Sequence, residues 1–373
     1  MRDPGTASRG GQTPGRGAQG LLLTAPVSLA IMGAVRTPRI KVAPETSAAS
    51  YHCMSRTVNG ERLFDDTDKE VLRRQLWQVA EFCGVRIITY AILENHFHVL
   101  VEVPKRTPVS DGELLRRLQA LYRRPTPQQA ASLDTLIRQL AEDSPEAEGR
   151  RKRLLALMGD VSAFMQLLKQ RFSIWFNHTH ARFGTLWAER FRSVLVDGDG
   201  DALRTMASYI DLNCVRAALA TDPKDYRFCG YAESVAGNRA ARRGLASAYG
   251  GRNWEETHAI CRQRLFGIGA AGRAKGASIS WEAFLKVAAE GGRLAIHEVL
   301  RCRVRYFTYG AILGSRAFVL SQLNAYNRRT GGRKGAAIQA FPPITDWGEL
   351  ASLKCLIGHR LSLSAALATC AAQ

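Results

Sequence analysis

Two histidines one residue apart are the side chains of this sequence best suited to chemistry. His96 and His98 lie within residues 94–104, a run whose composition favours a β-strand. Because successive strand side chains point to opposite faces, the two imidazoles share one face of the strand. Two imidazoles on one face are ready ligands for a divalent metal, so the spacing predicts a metal site at His96 and His98.

A tyrosine and an amide one helical turn apart form a second candidate group. Tyr209 and Asn213 lie in a segment with helical periodicity, and their spacing puts them on the same helical face. A tyrosine beside a divalent metal can break a phosphodiester and hold one end covalently. Two imidazole nitrogens with one amide oxygen would suit Mg²⁺ or Mn²⁺, with phosphate oxygens and water in the remaining positions.

Each candidate group also has an ordinary structural interpretation. A His-x-His pair in a β-rich chain is more often solvated or satisfied in the core than bound to metal. An aromatic residue on an amphipathic helix, such as Tyr209, is usually packed in the core. The hydroxyl of an unperturbed tyrosine titrates near pH 10, so a nucleophilic Tyr209 would also need a neighbouring cation or base.

The composition indicates a folded, basic protein. The chain has 373 residues, 46% of them hydrophobic, which is enough for two domains with cores of their own. Lys and Arg number 52 against 33 acidic residues, a net charge of +19. This excess favours nucleic acid as the partner, with an anionic membrane surface and a general arginine bias as the alternatives.

The cysteines indicate the compartment. There are eight, and none forms a Cys-x-x-Cys pair, which argues against a zinc finger and against a small disulfide scaffold. A reducing, cytoplasmic location fits best.

Residues 1–45 lack sustained periodicity and are predicted to form a disordered leader. Their apolar part, residues 20–35, is too short for a spanning helix and is interrupted by Pro26 and Gly33. We favour an over-early start followed by a true start at Met32, with a signal peptide as the alternative. No other stretch is long and apolar enough to cross a bilayer, so no membrane partner is expected.

The elements predicted over residues 46–236 place the candidate residues in one α+β domain with an antiparallel sheet and helices on one face. In chain order they are a strand at 51–56, a helix at 66–83, strands at 85–93 and 96–103, a helical insert at about 105–160, a helix at 161–179, a strand at 191–196 and a helix from 201 that carries Tyr209.

Residues 237–373 are predicted to be a separate, mainly helical region that begins with a Gly/Ala/Arg-rich linker at 237–252. Within it, residues 299–329 are predicted to form two helices broken at Gly310 and Gly314, with Ser315 capping the second. Such a pair is typical of a helix-turn-helix DNA reader, and a plain helical hairpin is the alternative.

Four blocks, in order along the chain, resemble the REP-associated tyrosine transposases of the HUH-type single-tyrosine transposase superfamily. The blocks are YHCMSR at 51–56, NHFHVL at 95–100, FGTLW at 183–187 with RFRSVLV at 190–196, and YIDLNCVRA at 209–217. Each block is modest, but the ordered set is specific, and it covers about half of the chain.

The resemblance implies a ferredoxin-like sheet, the HUH fold. It also implies that His96, His98 and Asn213 bind the metal while Tyr209 is the nucleophile. The implied reaction nicks and rejoins single-stranded or hairpin DNA, such as palindromic repeats, through a 5′-phosphotyrosine intermediate. Cys214 departs from the family, which commonly has proline at this position.

DNA contacts are expected from basic residues near the site: Arg56, Lys169, Arg171, Arg190, Arg192 and Arg216. Trp175, Phe176 and Trp187 are candidates for base stacking, although core packing is favoured. The protein is expected in the cytoplasm with the nucleoid.

Three alternatives stay open. The chain is either an active transposase, a catalytically silent sequence-specific DNA-binding protein, or a relaxase or replication initiator of the same chemistry. Because one nucleophilic tyrosine is apparent, two coordinated cleavages would favour a homodimer, whereas some relatives act as monomers.

Overall fold

The computed structural model of the chain describes residues 39–43, 45–198, 200–267, 281–290, 292–302, 307–308, 310–330, 338–341 and 345–354. The predicted leader, residues 1–45, lies outside the described residues except for its last few positions. Those positions pack on the domain, because Lys41 pairs with Asp160 and the backbone N–H of Val42 donates to the Tyr51 hydroxyl.

Seven strands in the described ranges form one sheet: β1 (Ala49–Arg56), β2 (Arg86–Ile92), β3 (His96–Val103), β4 (Arg192–Val196), β5 (Gly310–Ser315), β6 (Ile338–Ala340) and β7 (Leu350–Lys354). The α-helices in the same ranges are α1 (Asp66–Cys83), α2 (Asp111–Leu121), α3 (Pro127–Leu140), α4 (Pro145–Leu155), α5 (Val161–Thr179), α6 (Asp201–Asp211), α7 (Asn213–Arg216), α8 (Gly230–Val235), α9 (Arg239–Tyr249), α10 (Trp254–Phe266), α11 (Trp281–Ala289), α12 (Ile296–Arg301) and α13 (Arg316–Thr330).

The strand order in the sheet is β2-β3-β1-β4-β5-β7-β6. β1 pairs antiparallel with β3 and β4, and β2 pairs antiparallel with β3. The first four strands therefore have the ferredoxin-like order, with α1 and α5 as the two crossing helices. This confirms the α+β fold class predicted from the sequence.

Capping residues set the ends of the helix that follows β1. Asp65 accepts a hydrogen bond from the backbone N–H of Asp68, whose side chain accepts one in return from the backbone of Asp65. Gly84 ends α1 in the left-handed conformation, with a φ of 64°. The turn leads directly into β2, the edge strand of the ferredoxin-like unit.

The helices cover both faces of the sheet. On one face Phe172 of α5 packs on Trp187, a residue beyond the helix that in turn contacts Phe97 of β3. The sequence predicted helices on one face, whereas the structure has a layer on each. On the other face α6 is tied to β2 by a 2.6 Å hydrogen bond from the Thr89 hydroxyl to the Asp211 carboxylate. The second layer arises because the middle of β3 is buried on both faces, so a single layer would leave one face in water.

The predicted linker at residues 237–252 is largely a packed helix, α9. Its Ala and Gly residues allow a close approach to β2: a Cβ added at Gly244 would lie 2.4 Å from the carbonyl oxygen of Ile87. Leu245 and Tyr249 of the same helix are fully buried. The small residues that are typical of linkers here allow a helix to pack closely on a strand.

The C-terminal region differs from the prediction. Residues 310–315 form strand β5, which pairs in parallel with β4, and β7 and β6 extend the sheet further. Ile312 and Leu313 are buried, so this glycine-containing run is a core strand and the predicted helix-turn-helix is not formed. The Ser315 hydroxyl accepts from the backbone N–H of Phe318 at the start of α13, where the second helix was expected. The sheet thus continues past the predicted domain boundary at residue 236.

The predicted insert at residues 105–160 contains α2, α3 and α4. Arg171 of α5 holds it in place, because its guanidinium donates to the carbonyl of Leu121 and lies 5.0 Å from the ring centroid of Tyr122. Among the described helices, none combines the length and the apolar character needed to cross a bilayer.

Substituting Gly244→Ala tests the close approach of α9 to β2. The added methyl group would meet the carbonyl oxygens of Ile87 and Ile88, so we expect a loss of about 1–3 kcal/mol of unfolding free energy. Gly112→Ala in α2 is the matched control, because nothing lies within 4 Å of its added Cβ. The control should gain up to about 1 kcal/mol from helix propensity. Equal urea midpoints for the two variants would contradict the packing described.

Candidate active site

The sheet fixes the two predicted ligands. His96 opens β3 opposite Arg56, and His98 lies between Met54 of β1 and Ala91 of β2. The side chain of His98 is buried at 2% exposure, and that of His96 is partly buried. Their ring centroids are 5.1 Å apart, so the structure places both imidazoles side by side on one face, as the spacing predicts.

Asn95 orients the first histidine. Its amide nitrogen donates to the carbonyl of Gly60 over 2.8 Å, which leaves Oδ1 to face Nδ1 of His96 at 2.6 Å. Because an amide oxygen only accepts, Nδ1 of His96 carries the proton and Nε2 holds the lone pair. The ring is thus prepared to coordinate through Nε2.

A third histidine, His52 of β1, belongs to the same group. Its Nε2 lies 2.8 Å from Nδ1 of His98, and its ring centroid is 5.0 Å from that of His98. His52 lies in the first sequence block, but no role is predicted for it from the sequence. The link depends on pairing between β1 and β3, which no local pattern reveals; two histidines on separate predicted strands were the one available signal.

Burial controls the protonation of these two histidines. Removal from water lowers the pKa of His52 to about 4. The same desolvation, together with the neighbouring His52 and His96, lowers the pKa of His98 well below its usual value. Both rings are therefore neutral at neutral pH, which is the form that a metal ligand must take.

The predicted nucleophile lies beside these histidines. Tyr209 of α6 has its ring centroid 6.3 Å from that of His98 and 6.4 Å from that of His52. Phe307, just before β5, packs against the tyrosine ring at 5.0 Å, and Tyr209 is 4% exposed. The fold therefore brings together a phenol and imidazoles that are far apart in the chain.

Arg216 contacts the tyrosine directly. Its guanidinium carbon lies 4.0 Å from the ring centroid of Tyr209, and it donates to the carbonyls of Tyr209 and Leu300. Arg216 is predicted from the sequence to contact DNA, whereas in the structure it contacts Tyr209. The seven-residue spacing on one helical face was a signal for this contact.

Asn213 lies at the end of α6. Its amide nitrogen donates to the carbonyls of Tyr209 and Ile210, at 3.3 and 3.1 Å. These bonds satisfy carbonyls that the helix end leaves open, and they leave the side-chain oxygen as the atom that would reach a metal. The predicted long helix is broken here, because α6 ends at Asp211 and α7 begins at Asn213.

The donor set fits an open metal site rather than a closed one. Within the described residues, no group of three or more His, Cys, Asp or Glu side chains is arranged to hold an ion. Two neutral imidazoles and one amide oxygen would leave positions for phosphate oxygens and water, as a catalytic ion requires. His96, His98 and Asn213 are therefore compatible with Mg²⁺ or Mn²⁺.

The predicted basic contacts separate into two groups. Arg56 and Arg192 lie on the histidine face, since they pair directly opposite His96 and Met54. Arg56 and Arg190 are exposed, and Arg192 is exposed but paired with Glu189 at 2.7 Å.

The other two basic candidates belong to α5, on the side of the sheet away from Tyr209. Lys169 donates to the carbonyl of Glu189, and burial lowers its pKa to about 8. Arg171 holds the insert, as described above. Neither residue lies at the site with Arg56. The spacing of residues along a helix does not show on which side of the sheet that helix packs.

The predicted stacking aromatics are core residues. Phe176 and Trp187 are buried, and Trp175 is partly buried, as the core interpretation favoured. Among the described residues, Phe183 is an aromatic side chain that is exposed instead, at 97% exposure. It lies close to the loop that pairs with the end of β1, where the backbone N–H of Ala188 donates to the carbonyl of Arg56.

Comparisons with known proteins cover part of the chain. Residues 45–124 match the family model described as "Transposase IS200 like". This segment contains β1, α1, β2 and β3, including His52, His96 and His98, and the match confirms the resemblance that the sequence motifs indicated. The helix with Tyr209 lies beyond the matched residues.

Among solved structures, the chain is similar to a REP-associated tyrosine transposase bound to a REP hairpin. The sequence identity is 15% and the TM-score is 0.34, over 55% of this chain and 87% of the other. A comparison with curated proteins gives no match.

The buried histidines predict how stability depends on pH in EDTA. The pKa of His52 falls from 6.5 to about 4 on folding, so the unfolded state binds more protons in this window. Stability should decrease as the pH falls from 6.5 to 4, by up to about 3 kcal/mol for this group. Urea unfolding across the window should show a smaller decrease for His52→Gln. The exposed His178→Gln is the control, and an equal decrease in both variants would argue against the assignment.

Proposed function

We propose that the protein is a metal-dependent DNA transposase that cleaves and rejoins single-stranded or hairpin DNA through Tyr209. The observation that supports the proposal is the 6.3 Å separation of the Tyr209 and His98 ring centroids on one face of the sheet. The match of residues 45–124 to IS200-like transposases points to the same chemistry.

In the proposed reaction the oxygen of Tyr209 attacks a DNA phosphorus. The bond from phosphorus to the 3′ oxygen breaks, and a bond from phosphorus to the tyrosine oxygen forms. The phenol loses its proton and the departing 3′ oxygen gains one. The DNA then carries a free 3′ hydroxyl and a 5′-phosphotyrosine, and reversal of the step joins strands without an external energy source.

The chain's own groups favour this step in three ways. His96, His98 and Asn213 would hold a divalent ion, which when bound offsets phosphate charge. Arg216 fixes the tyrosine ring through stacking and backbone contacts, which reduces the entropy lost on reaching the reactive geometry. The neutral state of His98 leaves a lone pair for coordination near neutral pH.

DNA would approach the histidine face across basic residues. Arg56, Arg190 and Arg192 lie near its edge, and the chain as a whole carries a net charge of +19. Lys and Arg contacts to phosphates would supply most of the non-specific affinity. The proposal also includes palindromic hairpins as the DNA substrate, a cytoplasmic location with the nucleoid, and pairing of two copies for coordinated cleavage.

Two other functions are distinguished by experiment. A catalytically silent DNA-binding protein would bind hairpins without forming an adduct. A relaxase or replication initiator would share the adduct, but the IS200-like match favours the transposase.

Tyr209→Phe tests the nucleophile. The wild-type protein with Mn²⁺ and a 3′-labelled hairpin oligonucleotide should give a labelled protein band on a denaturing gel. A 5′-labelled oligonucleotide should give only a shortened free strand, because the tyrosine keeps the 5′ phosphate. Tyr209→Phe should lose the band completely, since it lacks the attacking oxygen.

The matched control for this experiment is Tyr122→Phe, which removes a hydroxyl from a half-buried tyrosine of the insert. It should form the adduct at the wild-type rate. An adduct in Tyr209→Phe, or no adduct in the wild-type protein with Mn²⁺, would contradict the proposal.

Phe183→Ala tests whether this exposed ring stacks on a base of bound DNA. Because the ring is 97% exposed, its removal should leave the fold intact. Stacking of one base is worth about 1–3 kcal/mol, so single-stranded DNA should bind about tenfold more weakly or worse. Ile174→Ala, which removes another exposed apolar side chain at 62% exposure, should leave affinity unchanged in a fluorescence anisotropy titration. Equal affinities for the two variants would exclude Phe183 from the DNA contact.

A further inference from the structure

We propose that His52 is a positioning residue that fixes the tautomer of His98, so that His98 presents Nε2 to the metal. The inference rests on the proposed function, since it assigns a role to the metal site. It extends that proposal to a residue outside the His-x-His pair and to a backbone carbonyl near the C-terminal strands.

The carbonyl of Phe307 determines which ring nitrogen of His52 carries the proton. Its oxygen lies 3.3 Å from Nδ1 of His52. A carbonyl oxygen only accepts hydrogen bonds, so the contact requires the proton on Nδ1 of His52. The other nitrogen of that neutral ring, Nε2, then holds a lone pair.

The position of the proton on His52 in turn determines which nitrogen of His98 is protonated. Nε2 of His52 lies 2.8 Å from Nδ1 of His98, and with a lone pair it accepts. Nδ1 of His98 must therefore donate its proton, and the lone pair of His98 is on Nε2. Both rings are buried, at 1% and 2% exposure, so water has little access to replace either partner.

The same arrangement holds the other predicted ligand. Asn95 accepts from Nδ1 of His96, so this ring also has its lone pair on Nε2. The two ligands thus use the same ring nitrogen, one held by a neighbouring amide and the other by a histidine from the next strand. Such outer partners orient metal-bound imidazoles and raise their affinity for the ion.

The strands make His52 a rigid support. β1 and β3 pair over eight residues, and His52 lies opposite Leu100, two residues from His98 along β3. Phe307 is itself packed against Phe341 and Trp347. Phe307, at the end of the hydrogen-bonded series His98–His52–Phe307, is therefore held by the C-terminal extension of the sheet.

Two substitutions of His52 separate positioning from packing. In His52→Gln the amide can donate to the Phe307 carbonyl and accept from His98, so both hydrogen bonds are preserved. His52→Leu fills the space without either bond. Without DNA, calorimetric titration with Mn²⁺ should give about 10–100-fold weaker binding for His52→Leu, and His52→Gln should recover most of the loss. The exposed His178→Leu should bind Mn²⁺ like the wild-type protein.

A second measurement reads the tautomer in the metal-free protein. Long-range ¹⁵N–¹H correlations of the imidazoles should show His98 protonated on Nδ1 in wild type and His52→Gln. The wild-type spectrum alone tests the inference if His52→Leu does not fold. A proton on Nε2 of wild-type His98 would overturn it, as would wild-type Mn²⁺ affinity in a folded His52→Leu variant while His96→Ala loses binding.

Failure of the proposed function gives a different pattern. In that case the wild-type protein forms no tyrosine adduct, although the tautomer of His98 is still measured directly in the metal-free protein. The positioning inference stands or falls on the tautomer and on the Mn²⁺ titrations, and the proposed reaction on the adduct.

Discussion

The antiparallel pairing of β1 with β3 is the interaction on which the candidate site depends. Its register places Arg56 opposite His96 and Met54 opposite His98, so that His52, two residues earlier on β1, shares their face. Because side chains alternate along a strand, a slip of one residue would move the β1 residues to the opposite face. Two independent partners, β2 and β4, hold the pair on either side and make such a slip costly.

The two faces of the sheet differ: one packs an apolar core, and the other carries the candidate site residues. Phe97, Phe172 and Trp187 form the aromatic core beneath α5, with no polar group required at its centre. The opposite face buries imidazoles, a phenol and a guanidinium, each with a partner of matching chemistry. Burial of polar groups is tolerated there because hydrogen bonds and stacking replace the lost water. The rigid apolar layer supports groups that must keep fixed positions.

Local periodicity was sufficient for the groups that share one element. His96 and His98 follow from the two-residue period of a strand, and Tyr209 and Asn213 from the turn of a helix. No role for His52 could be predicted, because its partner His98 belongs to another strand and strand pairing is not a local property of the sequence. The same limit explains why the run around Ile312 is predicted as the break between two helices, and residues 237–252 as a linker. In both cases tertiary burial, by β4 or by contact of Gly244 with β2, overrides composition.

The contact between His52 and Phe307 joins positions separated by 255 residues. Loops of this length close late in folding, after local helices and hairpins have formed. During synthesis the ferredoxin-like strands emerge from the ribosome well before Phe307 does. A nascent chain would therefore carry the imidazoles and the phenol without the carbonyl that orders them. Completion of this buried group of side chains is thus tied to completion of the sheet.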